Sequence, residues 1–123
     1  SAASDVYKRQ KKQSDEFTGP RMRHYTNRAG ADGIERDGVI KASSRQWKSG
    51  SVYAEPARGR ALSPREAERR YGLKPGRGRD YVEFDTRPGE ARRVKNRTTG
   101  KPEYVIRGDV SLKGRNAKIV RRE

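Results

Sequence analysis

One histidine occurs in the 123-residue chain, His24, and it stands in Arg23-His24-Tyr25-Thr26, a stretch that reads as a β-strand. A histidine near a strand end, with a hydroxyl two residues on and a helix start just beyond, is well placed to hold a polar ligand through its ring and the neighbouring backbone amides. A lone histidine can equally be a hydrogen-bonded structural residue. Tyr53 leaves the Gly/Ser-rich turn of Gly50-Ser51-Val52-Tyr53-Ala54, where its ring is either core filling or a stacking platform. Two further alternating segments carry the acids Asp85 and Glu103. A carboxylate paired with His24 could do acid–base work. Beside a sugar it could stabilise a developing positive charge, and on an ordinary strand face it would pair with a nearby arginine.

The elements that must position these residues are marked by local signals. Asn27 is placed to cap a helix of about three turns that ends where Gly38 supplies a positive φ, with Val39-Ile40 opening the next strand. Val52-Tyr53 fits a short strand that Glu55-Pro56 ends. Leu62-Ser63-Pro64-Arg65-Glu66 is a capping box with proline at the first helical position, opening a helix that runs to Arg70 or Tyr71 and stops at Gly72. Lys74-Pro75-Gly76-Arg77-Gly78-Arg79 is a basic loop without the spacing of a phosphate-cradling P-loop. In Tyr81-Val82-Glu83-Phe84-Asp85 the alternation turns Val82 and Phe84 to the core, with Tyr81, Glu83 and Asp85 on the other face. Pro88-Gly89 turns the chain and Arg92 to Lys101 reads as a polar loop. Glu103-Tyr104-Val105-Ile106-Arg107 is a third alternating strand, and Val110-Ser111-Leu112 and Ala117-Lys118-Ile119-Val120 are short closing strands.

Composition bounds the partners. With 31 Lys+Arg against 16 Asp+Glu the net charge is +15, a field that draws polyanions or acidic surfaces. An apolar fraction of 29% and a mean hydropathy of −1.28 leave a thin core that caps and loops must support. There is no cysteine, so no disulfide or thiolate site forms, and one histidine argues against zinc. No apolar run is long enough to span a membrane. Ser1 to Gln10 resembles a translated sequencing-adapter remnant, and Lys11 to Arg23, with Gly19-Pro20 as a breaker, reads as a linker. Residues 1–20 are therefore expected to be artefact and disordered linker, and residues 21–123 one domain. Lys41 to Ser51 is basic and serine-rich around Trp47, the one tryptophan.

Three separated segments, taken in order, carry a resemblance. His24-Tyr25-Thr26 with its following helix, Gly50-Ser51-Val52-Tyr53-Ala54, and Glu103-Tyr104-Val105-Ile106-Arg107-Gly108-Asp109-Val110 together resemble the ADP-ribosyltransferase superfamily. They look most like the small polymorphic-toxin transferases with a His-Tyr-acid signature, the HYD1 type. The resemblance implies an α+β fold, a small split β-sheet with two short helices, and a mono-ADP-ribosyltransferase that uses NAD as substrate and no metal. It implies that His24, with Tyr25 and Thr26, holds the NAD ribose, that Tyr53 stacks on nicotinamide, and that an acid holds the nicotinamide ribose 2′-OH. Glu103 resembles the catalytic acid of the poly-ADP-ribose enzymes and Asp85 that of the HYD1 pattern; Glu103 is favoured. Such domains are delivered by a bacterium as part of a larger toxin, act in the target-cell cytoplasm and are met by a cognate immunity protein. In arginine-modifying relatives a carboxylate or glutamine stands two residues before the catalytic glutamate. Here that residue is Lys101, which disfavours an arginine acceptor. With Arg92, Arg93, Lys95 and Arg97, and with Arg58, Arg60, Arg65, Arg69 and Arg70, Lys101 would form a positive rim suited to RNA, DNA or an acidic protein. The competing readings are a basic nucleic-acid-binding module and a metal-independent ribonuclease toxin with His24 and one carboxylate as acid and base.

Overall fold

A computed structural model describes residues 16–42 and 50–122; the expectations for Ser1 to Gln10 and for Trp47 lie outside the described residues. The strands are β1 (Met22–Thr26), β2 (Val39–Ile40), β3 (Ser51–Pro56), β4 (Asp80–Phe84), β5 (Arg92–Lys95), β6 (Pro102–Arg107), β7 (Val110–Ser111) and β8 (Lys118–Val120). The helices are α1 (Arg28–Asp37) and α2 (Pro64–Tyr71). Six strands form one sheet in the order β5-β6-β3-β1-β4-β8, and β2 and β7 form a separate pair. All the pairings are antiparallel. The result is the α+β split sheet with two short helices that the resemblance implies.

Both helices form where their caps place them. The Asn27 side chain accepts from the Gly30 N–H at 2.7 Å, and Gly38, at φ 68°, donates its N–H to the Ile34 carbonyl. At α2 the Ser63 hydroxyl and the Glu66 carboxylate satisfy each other's backbone N–H at 3.2 Å. Each helix packs on its own face of the six-stranded sheet. Alternation sends Met22, Val52, Ala54, Val82, Phe84 and Ile106 to one side, where Ile34 of α1, Ile40 and Val110 complete an apolar core. Tyr25 and Tyr53 emerge on the other side against Ala67 and Tyr71, one turn apart on α2.

Two elements differ from the sequence reading. Arg92–Lys95 is an edge strand rather than loop, pairing Val94 with Glu103 and Arg93 with Tyr104. One apolar residue among three exposed cations carries no alternation signal, yet cations are what an open sheet edge tolerates. β3 also continues through Glu55 to Pro56, because Glu55 pairs with Arg23 inside the sheet and proline costs no ladder bond at a strand end. Before β1 the chain docks on the domain: Gly19 donates to the Thr86 carbonyl at 2.8 Å, and the guanidinium groups of Arg87 and Arg115 stack on the Phe17 ring at 4.8 and 4.6 Å from its centroid.

Candidate active site

The sheet is zipped unevenly about β1. With β4 it pairs from Met22↔Phe84 to Thr26↔Asp80, whereas with β3 its pairs are Met22↔Pro56 and Arg23↔Glu55. Beyond Arg23 side chains bridge the two strands instead. His24 Nδ1 lies 2.8 Å from the Tyr53 carbonyl, and the Tyr53 hydroxyl donates to the Tyr25 carbonyl at 2.7 Å. The two rings sit 4.7 Å apart and inclined by 57°. A carbonyl only accepts, so Nδ1 carries the proton and a neutral His24 ring has its lone pair on Nε2.

This fork opens into a cleft of about 490 Å³ lined by His24, Tyr25, Thr26, Ser51, Val52 and Tyr53, by α1 and β2, and by the turn after α2. The first turn of α1 can approach this closely because residue 30 is glycine; a Cβ there would stand 2.0 Å from the Thr26 hydroxyl. Leu73, Lys74 and Arg77 form the wall contributed by the α2–β4 turn, while Arg36, Asp37 and Lys41 come from the end of α1 and the start of the next segment.

Behind the fork lies a buried polar network on the tyrosine face. Glu55 accepts from Arg23 Nη1 at 2.7 Å, from the Tyr25 hydroxyl at 2.8 Å and from the Tyr71 hydroxyl at 2.5 Å. Arg23 also donates to Glu83 at 2.9 Å. Burial works against the Arg23 charge, but the Glu55 and Glu83 carboxylates outweigh it and hold the guanidinium above its ordinary range. Burial and the bond to Glu55 push the Tyr25 hydroxyl up to about 12, and the same two causes raise Tyr71.

The two acids named from the sequence stand in different places. Glu103, 2% exposed on β6, accepts at Oε1 from Asn96 Nδ2 at 2.6 Å. Since Tyr53 pairs with Val105, Glu103 lies on the same sheet face as Tyr53, one strand over and two residues along. Asp85 follows the end of β4 that pairs with Met22, away from the fork, and holds Arg21 at 2.9 Å. Neither acid lines the cleft. The rim cations from Arg58 to Lys101 do not line it either. The cations that do are Arg36, Lys41, Lys74 and Arg77.

Sequence reasoning passed over Glu55, Tyr71 and Asn96. Glu55 read as the residue ending a strand and Tyr71 as the last residue of a helix. Asn96 had a readable signal in Asn-Arg-Thr-Thr-Gly: its Oδ1 caps the turn by accepting from the Thr98 and Thr99 N–H groups, which leaves Nδ2 to reach Glu103 and the Tyr71 carbonyl.

The domain is thus a small antiparallel α+β split sheet that parts at a histidine–tyrosine pair over a cleft. The family described as HYD1 signature containing ADP-ribosyltransferase matches residues 22–114, from the first residue of β1 to the turn after β7. The chain belongs to this family of ADP-ribosyltransferase toxin domains. No curated protein and no solved structure gives a significant match.

Proposed function

We propose that the domain transfers ADP-ribose from NAD to a macromolecular acceptor, with the nicotinamide end of NAD seated at the fork between β1 and β3. The observation that carries this reading is the meeting of His24 and Tyr53 across that fork, over a cleft large enough for a dinucleotide. In the step, the bond between nicotinamide and ribose C1′ breaks with its electron pair leaving on nicotinamide. An acceptor nucleophile then bonds to C1′ and releases its proton. The ribose passes through an oxocarbenium-like state, so the catalytic gain comes from groups that favour that charge over the ground state. His24 holds the ribose from Nε2, the Tyr53 ring flanks nicotinamide, and Tyr25 and Thr26 support the pose from the strand carrying the histidine. Glu103 is the acid in this reading: it shares the Tyr53 face, and Asn96 orients its carboxylate, whereas Asp85 is committed to Arg21 beyond the other end of β1. The acceptor is anionic, RNA or DNA before acidic protein, because exposed cations crowd α2 and the β5 edge and because Lys101 precedes Glu103 by two residues. A cognate immunity protein and delivery as part of a larger bacterial toxin belong to the same reading.

The test is incubation of the protein with NAD labelled in the ADP-ribose moiety, together with RNA, DNA or lysate protein at two salt concentrations. Label transfer to nucleic acid that weakens as salt rises is expected, and so is its loss in His24→Ala and Tyr53→Ala variants that still melt cooperatively. Nucleic-acid cleavage without NAD would move the assignment to a ribonuclease, and retention of nucleic acid without chemistry to a binding module. Protein-only labelling that is indifferent to salt would refute the anionic acceptor alone.

A further inference from the structure

The basic turn Lys74-Pro75-Gly76-Arg77-Gly78-Arg79 has no role in the reading above, yet it supplies one wall of the cleft. Its backbone is held on several sides. Leu73 donates to the Glu68 carbonyl at 2.9 Å, Gly76 to the Glu68 carboxylate at 3.1 Å and Arg77 to the Lys74 carbonyl at 3.0 Å. Gly78 is wedged under the start of α2, where a Cβ would stand 2.5 Å from the Pro64 carbonyl oxygen. From the C-terminal segment Arg122 donates to the carbonyls of Gly78 and Arg79, each at 2.8 Å. A turn fixed this way presents its side chains without paying for backbone ordering when a ligand arrives.

Two of those side chains, Lys74 and Arg77, make no ion pair among the described residues, and the Glu68 carboxylate beside them is engaged by the Gly76 N–H. Arg36 and Asp37 pair with each other at 3.0 Å and offset one another. Lys41, Lys74 and Arg77 have no ion pair with any carboxylate among the described residues, and Asp37 is the only acid on the wall. Lys74 and Arg77 are exposed and stand on the same concavity as His24 and Tyr53. Cations outnumber the one acid on this concave wall, and there they focus the field on a compact anion, whereas a polymer backbone would need the open surface that Arg92, Arg93 and Lys101 offer.

We propose that Lys74 and Arg77 form a clamp for the pyrophosphate of the dinucleotide, with Lys41, which lines the same cleft, adding a third positive charge. This inference rests on NAD being the donor. Arg77 supplies the forked donor set that suits phosphate oxygens and Lys74 a mobile point charge, so the turn does with side chains what a P-loop does with backbone amides. It would fix the distance between the adenosine half and the nicotinamide half, and so deliver ribose C1′ to the fork.

The clamp is tested with Lys74→Ala, Arg77→Ala, the double variant and Arg77→Lys, with Lys113→Ala as a control cation outside the cleft. Three quantities are measured: steady-state NAD turnover, calorimetric binding of ADP-ribose, which carries the pyrophosphate, and binding of nicotinamide, which does not. The double variant is expected to raise the KM for NAD and the Kd for ADP-ribose by roughly tenfold to a hundredfold. Nicotinamide affinity and kcat should stay within about twofold of wild type, since the lost contacts hold ground and transition states alike. Arg77→Lys should recover part of the loss. Unchanged ADP-ribose affinity in a double variant whose parent binds it well would overturn the clamp and leave the donor assignment standing. An unchanged KM with weaker labelling of RNA would overturn it as well, by giving the two cations to the acceptor. Absence of NAD and ADP-ribose binding in the parent protein would remove the donor assignment itself, and the clamp with it.

Discussion

The two faces of the six-stranded sheet are built on different chemistry, and the candidate site lies where they meet. Under α1 the sheet buries Met22, Val82, Phe84 and Ile106 with no charged group among them, so order there comes from the area removed from water and from close packing. Under α2 it buries Tyr25, Tyr53 and Tyr71 around Glu55, Arg23 and Glu83, so order there depends on a directional network in which each member needs its partners. An apolar face tolerates substitutions that keep volume. A polar network fixes orientation at the cost of tolerance. His24 belongs by alternation to the apolar side and Tyr53 to the polar side, and the fork between β1 and β3 lets the two rings meet. The polar side holds Tyr53 through its hydroxyl on the Tyr25 carbonyl, and Tyr25 is held in turn by Glu55.

The largest expected effect separates catalysis from support within the polar face. Glu103→Gln keeps shape and can still accept from Asn96, so the melting temperature should hardly move while NAD turnover drops roughly 10²–10³-fold with little change in NAD affinity. The same pattern in Asp85→Asn, with Glu103→Gln active, would transfer the acid to the strand end beyond Met22. Next in size come the supports themselves. Glu55→Ala takes one of two carboxylates from an Arg23 side chain that is 3% exposed, leaves the Tyr25 and Tyr71 hydroxyls without their acceptor, and should cost about 3–5 kcal/mol in chemical denaturation. Phe84→Ala should cost a similar amount on the apolar face. Near-isosteric changes then distinguish the faces: Phe84→Leu should cost about 1 kcal/mol, whereas Glu55→Gln should cost about 2 kcal/mol because it removes the charge that three donors share. Equal costs for those two would show that the polar face is ordinary packing.

A smaller effect is carried by pH. In the folded protein the Tyr25 hydroxyl is raised from the ordinary 10.0 to about 12, and Tyr71 is raised as well, so the folded state holds these protons more tightly than the unfolded chain. The Tyr25 contribution is whole below pH 10 and is lost as pH climbs from about 10 to about 12, and the Tyr71 contribution begins to fall over the same rise. Denaturation midpoints measured across that interval should fall. In Tyr25→Phe the fall should be shallower and the late tyrosinate absorbance smaller. An unchanged alkaline limb in that variant would remove Tyr25 from the network.

Much of this arrangement is legible in the sequence where the causes are local. Asn27, Gly38, Ser63, Glu66 and Gly72 bound their helices by satisfying orphan backbone groups within a few residues, and the alternation in Val82–Phe84 and Tyr104–Ile106 marks faces that the structure buries. Long-range causes leave no such mark. Glu55 looks like the end of a strand until Arg23, 32 residues earlier, and Tyr71, 16 residues later, are brought to it. β5 has too few apolar residues to announce itself, and its place is set by β6. The site divides the same way. His24 and Tyr53 stand out because their types and neighbours suggest chemistry, while Lys74 and Arg77 read as loop charge until the turn is seen braced against Pro64 and Arg122.

The smallest predicted effect concerns the cap that seats α2. Ser63 and Glu66 satisfy two backbone donors at the start of a helix of eight residues, a length too short to persist without capping and packing. The helix carries Tyr71 at its far end, and Tyr71 reaches Glu55 while its carbonyl accepts from the Asn96 group that orients Glu103. Ser63→Ala should therefore cost only about 1 kcal/mol in denaturant midpoint. If the polar face works as a connected network, the loss should travel down the helix and appear as weakened protection of backbone amides around Asn96 and on β3, with those of Val82 and Phe84 on β4 unchanged. Hydrogen exchange measured on the parent and Ser63→Ala proteins distinguishes the alternatives. Weakening confined to residues 63–67 would mean that the cap serves its own first turn and that the two faces are less distinct than their contacts suggest.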